Sequence, residues 1–556
     1  MGKAYTNPIY EYDRSPDQFS AAPTHHPVII VGAGPAGLSA AIDLAVHGIP
    51  AVVLDDNNTV SVGSRAICFS KRSLEICDRY GPADRMLNKG ITWNLGKVYW
   101  QDDLVYEFNL LPEENHKFPA FVNIQQYYFE EYMVDRCLEL PSIDLRWLSK
   151  VSNVRADDDK TTLDVTTEDG TYALSCDYLL VADGASSPIR TDLGLPFNGQ
   201  VFQDHFLIAD ILMKAEFPSE RRFWFDAPFH PNQSTLLHKQ ADNVWRIDFQ
   251  LGWDTDLKEE AKAENVIPRV RAMLGDDIEF DVEWTSVYTF RCRKMDSFIH
   301  KHILFMGDAA HQVSPFGARG GNGAIQGVDN LAWKLANVLK NKAPKALLKT
   351  YDLERQRGAD ENIMHSTRST DFMTPKNSAS RAFQHAVLEM ASRYPFAQSL
   401  VNSGRLSTPC AYIHSPLNTM DNDQFEGGVA PGTVSTDAPL IVNNEQAWLL
   451  SLLGNHFVCL VDASQSSEKI SELASLNKDI RLILVNPTAS RQSLMKESDV
   501  SVFDQLGVLI SRYDLLAGTT YLIRPDQYVC ARWKGFEAKA INSAYLKALG
   551  HELEAD

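Results

Sequence analysis

Residues 27–55 constrain the fold of this chain more than any other stretch. Pro27–Val31 is a short apolar run. Val31-Gly32-Ala33-Gly34-Pro35-Ala36-Gly37 follows it, a helical pattern runs from Pro35 to His47, and Gly48 stops the helix. Ala51–Leu54 is a second apolar run that ends in Asp55. Strand, G-x-G-x-x-G turn, helix and a second strand closing on an acid make a β–α–β unit of the dinucleotide-binding kind. Gly32 permits the tight turn, Gly34 lets the backbone approach a pyrophosphate, and Gly37 lets the helix pack close to the strand. Pro35 and Ala36 open that helix, whose free N–H groups and partial positive charge suit phosphates. Asp55 is the acid for the two ribose hydroxyls, with the adjacent Asp56 as the alternative.

Two more motifs sit where a strand meets a loop. Tyr178–Ala182 is apolar and runs into Asp183-Gly184-Ala185-Ser186-Ser187-Pro188. That puts the Asp183 carboxylate and a tight turn at the carboxyl edge of a sheet, where ligands bind. Ile303–Met306 runs into Gly307-Asp308-Ala309-Ala310-His311, then Pro315-Phe316-Gly317-Ala318-Arg319-Gly320-Gly321-Asn322-Gly323, then a helix to Val338. Asp308 stands at the strand tip, and the N–H groups at Gly320–Gly323 suit a developing anion. His311 is open to a catalytic role or to a structural hydrogen bond beside the loop.

Composition excludes several classes. The 556 residues carry 53 Lys+Arg against 72 Asp+Glu, a formal charge of −19. A nucleic-acid partner needs a basic face, and an anionic membrane surface is a poor match. The eight cysteines are scattered with no C-x-x-C, so neither a disulfide framework nor a zinc site is expected. The most apolar stretch, Val28–Leu54, is broken by Gly, Pro, Asp43 and His47. The first twenty residues lack the basic-then-apolar order of a signal peptide. The expectation is a cytoplasmic protein without a metal.

Further along, helix is expected over 121–139, and strands at Leu163–Thr167, Phe206–Met213, Phe223–Phe225, Leu236–His238, Val244–Leu251 and Trp284–Arg291. Residues 351–405 read as helical. Asp421–Gly432 is a glycine-rich linker, after which a new α/β pattern begins. The polar, proline-bearing residues 1–25 read either as an arm crossing a subunit boundary or as a loosely ordered tail.

Together the motifs resemble the flavoprotein aromatic hydroxylases of the para-hydroxybenzoate hydroxylase type, in the phenol hydroxylase and 3-(3-hydroxyphenyl)propionate hydroxylase branch. The resemblance covers about residues 25–360, and its most specific part is GDAAHQVSPFGARGGNGAIQGVDNLAWKL. It implies an α/β fold with a Rossmann-like FAD-binding domain of the glutathione-reductase type, interleaved with a β-sheet substrate domain. The expected boundaries are 26–200 with 290–420 for FAD, 201–289 for the substrate sheet, and 433–556 for a C-terminal domain. Arg512–Gly518 and Tyr521–Asp526 look like the thioredoxin-like tail of this branch. Without C-x-x-C that tail has no redox chemistry, leaving a structural or oligomerisation role, and the branch implies a homodimer.

The resemblance implies FAD bound along Gly32, Gly34, Gly37 and Asp55. Arg65 would reach the pyrophosphate, Gln126 the flavin side and Asp308 the ribityl chain. Pro315, Gly317, Gly320, Gly321 and Asn322 would run beside the isoalloxazine. It further implies transient NADH or NADPH, O₂, and transfer of the distal oxygen of a flavin hydroperoxide to a small phenolic ring. The alternatives are a flavin reductase or dehydrogenase without oxygenation, and a hydroxylase of a polycyclic, polyketide-like substrate. A phenol reacts faster when deprotonated, so a proton acceptor or relay is expected near its hydroxyl. Tyr288 is the first candidate, with His238 and Arg291 after it. Arg246 and Asp248 flank Ile247 and share one strand face, and Arg246 is a candidate partner for a substrate carboxylate. Phe223-Trp224-Phe225 is open to a pocket wall or to core packing.

Overall fold

The computed structural model describes residues 5–214, 217–253, 255–402, 406, 408–462, 467–487, 499–516 and 518–553. Three of the five sheets among these residues organise the fold. In the first, Ile303–Phe305, Gly170–Val181, Thr24–Val31, Ala51–Leu54 and Ile143–Arg146 lie side by side and parallel, with Ile299–His300 antiparallel at one edge. Their central stretches Val28–Val31, Ala51–Leu54, Leu179–Val181 and Ile303–Phe305 are apolar because helices cover them; Val28, Ile29, Ile30, Val53 and Leu54 have no exposed surface. Four of these strands end together, delivering Gly32, Asp55, Asp183 and Asp308 to one edge.

The second sheet has eight strands, in the order His311–Gln312, Phe280–Met295, Phe197–Met213, Val244–Leu251, His230–Lys239, Arg221–Ala227, Leu95–Trp100 and Asp103–Asn109. Period-two alternation gives it two different faces. Leu207, Ala209, Ile211, Leu237, Ile247 and Phe249 pack with Val266 and Val270 of the helix Ala263–Leu274. The opposite face, with Phe206, Leu236, His238, Arg246, Tyr288 and Phe290, turns toward the first sheet.

The sheet departs from expectation in two ways. Phe197–Met213 and Phe280–Met295 are single long strands, so boundaries at 200/201 and 289/290 cut through them. Leu95–Trp100 and Asp103–Asn109, from inside the expected FAD segment, pair onto the edge at Arg221–Ala227. The 121–139 segment likewise divides into a strand, Phe121–Asn123, and a helix, Gln126–Leu138.

The arm, described from residue 5 onward, packs on its own chain. Tyr5 stacks on Tyr127 at 4.1 Å and donates to Glu131, while Tyr10 stacks on Trp147 at 4.6 Å.

The third sheet runs Val500–Val502, Ile480–Val485, Phe457–Asp462, Thr520–Ile523 and Val529–Trp533; the first three strands are parallel and the last two antiparallel. Its Arg524–Gln527 turn is buried against the helices Lys71–Tyr80, Gly320–Leu339 and Lys349–Met373. Arg524 pairs with Glu354 at 2.7 Å and Asp526 at 2.5 Å. Arg72 donates to Asp329, Gln527 and the Asp526 carbonyl. The expected linker at 421–432 is pinned to the same sheet, with Arg532 bonded to Asp421 at 2.7 Å and lying over Phe425. Ala517, inside the Arg512–Gly518 stretch, lies outside the described residues. Among the described residues no helix is long and apolar enough to cross a membrane.

Candidate active site

One cavity of about 500 Å³ runs from the carboxyl edge of the first sheet to the inner face of the second. Gly34, Pro35, Ala36 and Asp55 from the strand edge line it, with Arg65, Gln126, Asp308, Pro315 and Gly320–Asn322. Phe206, Ile208, Leu236, His238, Arg246, Asp248, Tyr288 and Phe290 supply the opposite wall, joined by Cys68 and Arg221.

The glycines divide by task. A Cβ on Gly32, whose φ is +103°, meets the Ala182 carbonyl, and one on Gly37 meets the Gly32 carbonyl. Both glycines therefore serve close packing and neither lines the cavity. A Cβ on Gly34 meets nothing within 4 Å, so the backbone there is open to a bulky group at the helix N-terminus. Asp55 accepts from Ala33 N at 2.6 Å and Asn57 N at 2.8 Å, which holds its carboxylate at the cavity rim.

Asp308 is enclosed by protein, yet its carboxylate keeps accessible surface because that surface faces the cavity. No hydrogen bond reaches it among the described residues. Burial pushes its pKa up to about 6, against the pull of Arg65. An orphan acceptor aimed into a cavity fits a polyhydroxyl chain. Arg65 lines the same stretch and has no ion pair among the described residues, which fits a pyrophosphate. The open backbone at Gly34, the Asp308 acceptor and the free Arg65 cation together match the donors and acceptors of FAD.

Other expected residues are placed differently. Gln126 lines the cavity, but its amide is engaged, accepting from Ala66 N at 3.0 Å and donating to Glu130 at 2.8 Å. The Asn322 amide is engaged too: it accepts from Ser70 N and Ser73 Oγ and donates to the Cys68 and Ala318 carbonyls. It staples the Gly320–Leu339 helix to the strand Cys68–Ser70. Gly317, with φ +92°, turns the loop without lining the cavity. Asp56 is exposed and away from it. Asp183 also lies outside the lining; its carboxylate accepts from Ile189 N of the short helix Pro188–Asp192, whose N-cap is Ser187. Arg291 falls on the outer, exposed face, since strand alternation that turns Tyr288 and Phe290 inward turns Arg291 outward. His311 is buried beside Phe298, clear of the cavity, and its Nδ1 has no partner among the described residues.

On the sheet wall, burial raises the Tyr288 phenol pKa, Asp308 adds to the rise, and Arg65 and Arg291 oppose it. Tyr288 is thus a neutral hydroxyl at pH 7. His238 has Nε2 3.5 Å from Asp248 Oδ2 and Nδ1 3.9 Å from Cys68 Sγ. Burial and the nearby Arg221 push its pKa down to about 4, with Asp248 opposing. The imidazole is therefore neutral at pH 7. Arg246 is not free for a substrate carboxylate. It forms a bidentate pair with Asp210 at 2.8 Å and donates to the carbonyls of Ser64 and Arg65. Phe225 and Phe223 pack in the core, and Trp224 packs on the outer face.

Arg221 was not anticipated. It stands two residues before Phe223 on the same strand face, and that alternation was its only signal.

The family model described as FAD binding domain matches residues 25–366. A 3-(3-hydroxy-phenyl)propionate/3-hydroxycinnamic acid hydroxylase of Mycobacterium avium (strain 104) is 25% identical over 539 residues, covering 94% of this chain and 92% of the relative. The para-nitrophenol 4-monooxygenase of Pseudomonas sp. (strain WBC-3) is 25% identical over 59% of this chain and 82% of its own. Among solved structures, the flavin-dependent monooxygenase PieE in complex with FAD and substrate superposes with a TM-score of 0.80, at 19% identity over 95% of this chain and 100% of that one. Aklavinone-11 hydroxylase with FAD and aklavinone superposes with a TM-score of 0.77, at 18% identity and the same coverage. A family match over more than half the chain, on a cavity with the acceptors and the cation that FAD requires, shows that the chain belongs to the FAD binding domain family, as a flavin-dependent aromatic hydroxylase.

Proposed function

We propose that this chain hydroxylates a phenolic ring held against the sheet wall at Phe206, Leu236, Tyr288 and Phe290, with electrons from NADH or NADPH. The observation that carries this reading is the single continuous cavity, with cofactor-type groups at one end and an aromatic wall at the other. When bound, FAD supplies hydride acceptance and the activation of O₂. The chain's own residues do the rest. Gly34 and the N-terminus of the Pro35–Val46 helix receive the pyrophosphate, Arg65 neutralises it, Asp55 takes the ribose and Asp308 the ribityl hydroxyls. The first turn of the Gly320–Leu339 helix borders the flavin ring with N–H groups that favour negative charge. Phe316, packed edge-on to Phe206 and Phe290 at 5.1 Å from each, helps keep water from the reacting ring.

Tyr288 orients the phenol through a hydrogen bond. His238 lines the same wall with Nδ1 facing Cys68 Sγ and is the second candidate for a role at the substrate hydroxyl. The relatives act on hydroxyphenylpropionate and nitrophenol by their names, which supports a monocyclic phenol over a polycyclic substrate.

Residues 433–556 serve as a thioredoxin-like domain in a structural role. Burial raises the thiols of Cys459 and Cys530 above their usual range, leaving no thiolate for redox work. A homodimer completes the reading.

The test is the visible spectrum of the purified protein, followed by NADH and NADPH oxidation against simple phenols and phenolic acids. A yellow protein whose oxidation accelerates with a phenol, and which forms an oxygenated product, supports the proposal. A protein that cannot be loaded with FAD, or that oxidises NAD(P)H with no oxygenated product from any phenol, overturns it.

A further inference from the structure

The helix Gly320–Leu339 has a second face, turned away from the cavity. Gly320, Gly321, Asn322 and Ala324 line the cavity, whereas Gly323 and Gly327 do not and meet Arg355 of the helix Lys349–Met373. A Cβ on Gly327 meets Arg355 Nε at 3.4 Å, and one on Gly358 meets its Nη1 at 3.0 Å. Both glycines thus make room between the two helices for a guanidinium.

That guanidinium is buried and has no acid. Arg355 is 2% exposed and makes no ion pair among the described residues. Its Nη2 donates to the Gly323 carbonyl at 3.0 Å and its Nη1 to the Tyr412 hydroxyl at 2.6 Å, while Nε has no partner. The adjacent Glu354 is taken by Arg524 and Lys334. His311 also lies against Gly323 and adds no charge, because burial, with Arg355 and Lys294, pushes its pKa down to about 3.

A guanidinium keeps its charge at any physiological pH, and a buried charge without a counter-ion is costly. The first turn of the helix Gly320–Leu339 is itself the positive end of a dipole. Two positive features therefore meet behind the cavity wall with only neutral groups to answer them. The arrangement becomes favourable when negative charge enters the cavity beside that turn.

We propose that Arg355 is a positioning residue for that negative charge, and that it raises the reduction potential of the bound flavin from behind the helix. The inference rests on the placement of the flavin ring beside the Gly320–Gly323 turn, and goes beyond it. Hydride transfer from NAD(P)H breaks one nicotinamide C–H bond and delivers two electrons and one proton, so the cavity gains one negative charge. Arg355 acts on it across a helix about 10 Å thick. At that distance, and an effective dielectric of about 20, one unit charge changes the ratio of reduced to oxidised flavin by roughly tenfold. For a two-electron couple that is about 30 mV.

The experiment uses the FAD-loaded full chain in an anaerobic reductive titration against a dye of known potential, with equilibrium dialysis for oxidised FAD. Arg355→Met is expected to lower the potential by about 30 mV, a tenfold change, with the Kd of oxidised FAD within about threefold. Arg355→Lys keeps the charge and loses the planar fork, and is expected to hold the ratio within about twofold of wild type. His311→Glu supplies the missing acid beside Arg355 and is expected to lower the potential in the same direction, with the neutral His311→Gln as its control. That pair keeps the proposal testable if Arg355→Met fails to fold. An unchanged potential in Arg355→Met or in His311→Glu overturns the proposal. So does an equal fall in Arg355→Lys and Arg355→Met, which would make shape and not charge the cause. Weaker binding of oxidised FAD at unchanged potential would leave Arg355 a packing role only. Failure of the hydroxylase reading would show differently, as absent flavin or absent oxygenated product in wild type.

Discussion

Asp210 grips Arg246 through two parallel N–H···O bonds of 2.8 Å, and Arg246 in turn donates to the carbonyls of Ser64 and Arg65. The second sheet thus holds the loop that carries Arg65 at the cavity. The pair is buried on both sides, with side-chain exposures of 3% and 5%, so removing one partner leaves an uncompensated charge. Asp210→Ala is expected to lose about 3–5 kcal/mol of stability in urea unfolding, and to hold FAD less tightly because the Ser64–Arg65 loop is released. Unchanged stability and unchanged flavin content would show that the pair does not hold that loop.

Asp308 offers the cavity an acceptor with no other partner among the described residues. Asp308→Ala is expected to weaken FAD binding by about 1–3 kcal/mol, or roughly 5- to 150-fold in Kd. Equilibrium dialysis of the apoprotein against FAD measures it. A variant that purifies fully loaded, with unaltered Kd, removes Asp308 from the ribityl assignment.

Tyr288 separates binding from chemistry. Tyr288→Phe keeps the ring that packs near Phe290 at 6.4 Å and loses only the hydroxyl. Flavin reduction by NAD(P)H is expected to stay within about twofold, while product formation slows by about 10²-fold, the usual worth of one positioned proton-transfer group. Stopped-flow absorbance and product analysis read the two rates separately. Equal rates in variant and wild type reduce Tyr288 to packing.

The N-terminal arm bears on the same cofactor. Asn7 Nδ2 donates to the carbonyls of Val60 and Ser61 at 3.1 and 3.0 Å, Tyr10 N donates to the Asn58 carbonyl at 2.8 Å, and Thr59 Oγ1 donates to the Pro8 carbonyl at 2.7 Å. Asn57, Thr59, Val60 and Ser61 line the cavity. Removing residues 1–12 is expected to speed FAD dissociation several-fold at unchanged helix and strand content. Flavin fluorescence recovery after dilution reports the rate, and circular dichroism the fold.

Much of this site was legible in the sequence, for a physical reason. Gly32, Gly34, Gly37 and Asp55 sit in one β–α–β unit, where local chain geometry alone sets their relation. Asp308 was legible because a buried strand ending in an acid has few places to put it. What the sequence hid depends on pairing between distant strands. Leu95–Trp100 joins the substrate sheet only through Arg221–Ala227, and nothing in its own composition announces that edge. Arg291 was misplaced because a motif gives neighbours, whereas the face depends on register. The Arg246 engagement needed Asp210, thirty-six residues away, and no local pattern joins the two. Arg221 escaped notice because its signal is an absence, a buried charge with no ion pair among the described residues.

The anchoring of the C-terminal domain carries a pH prediction. Burial alone raises the Glu354 carboxyl pKa, but Arg524 and Lys334 more than reverse this, so it lies well below the usual carboxylate range. Glu354 accepts from Arg524 at 2.7 and 3.0 Å and from Lys334 at 2.8 Å. A group whose folded pKa is depressed contributes its full stability above its unfolded value, about 4.3 for Glu. As pH falls below that value the unfolded chain takes up the proton first, and the contribution is lost on the way to the folded pKa. Urea unfolding at pH 7, 5 and 4 is therefore expected to show the steepest loss at the acid end for wild type. Glu354→Gln is expected to be less stable at pH 7 and to lose less on acidification, because the titrating group is gone. Parallel curves for the two proteins would place the acid sensitivity elsewhere. The helix that carries Lys334 begins at Gly320 on the cavity wall, so flavin release on acidification is expected to follow the same curve.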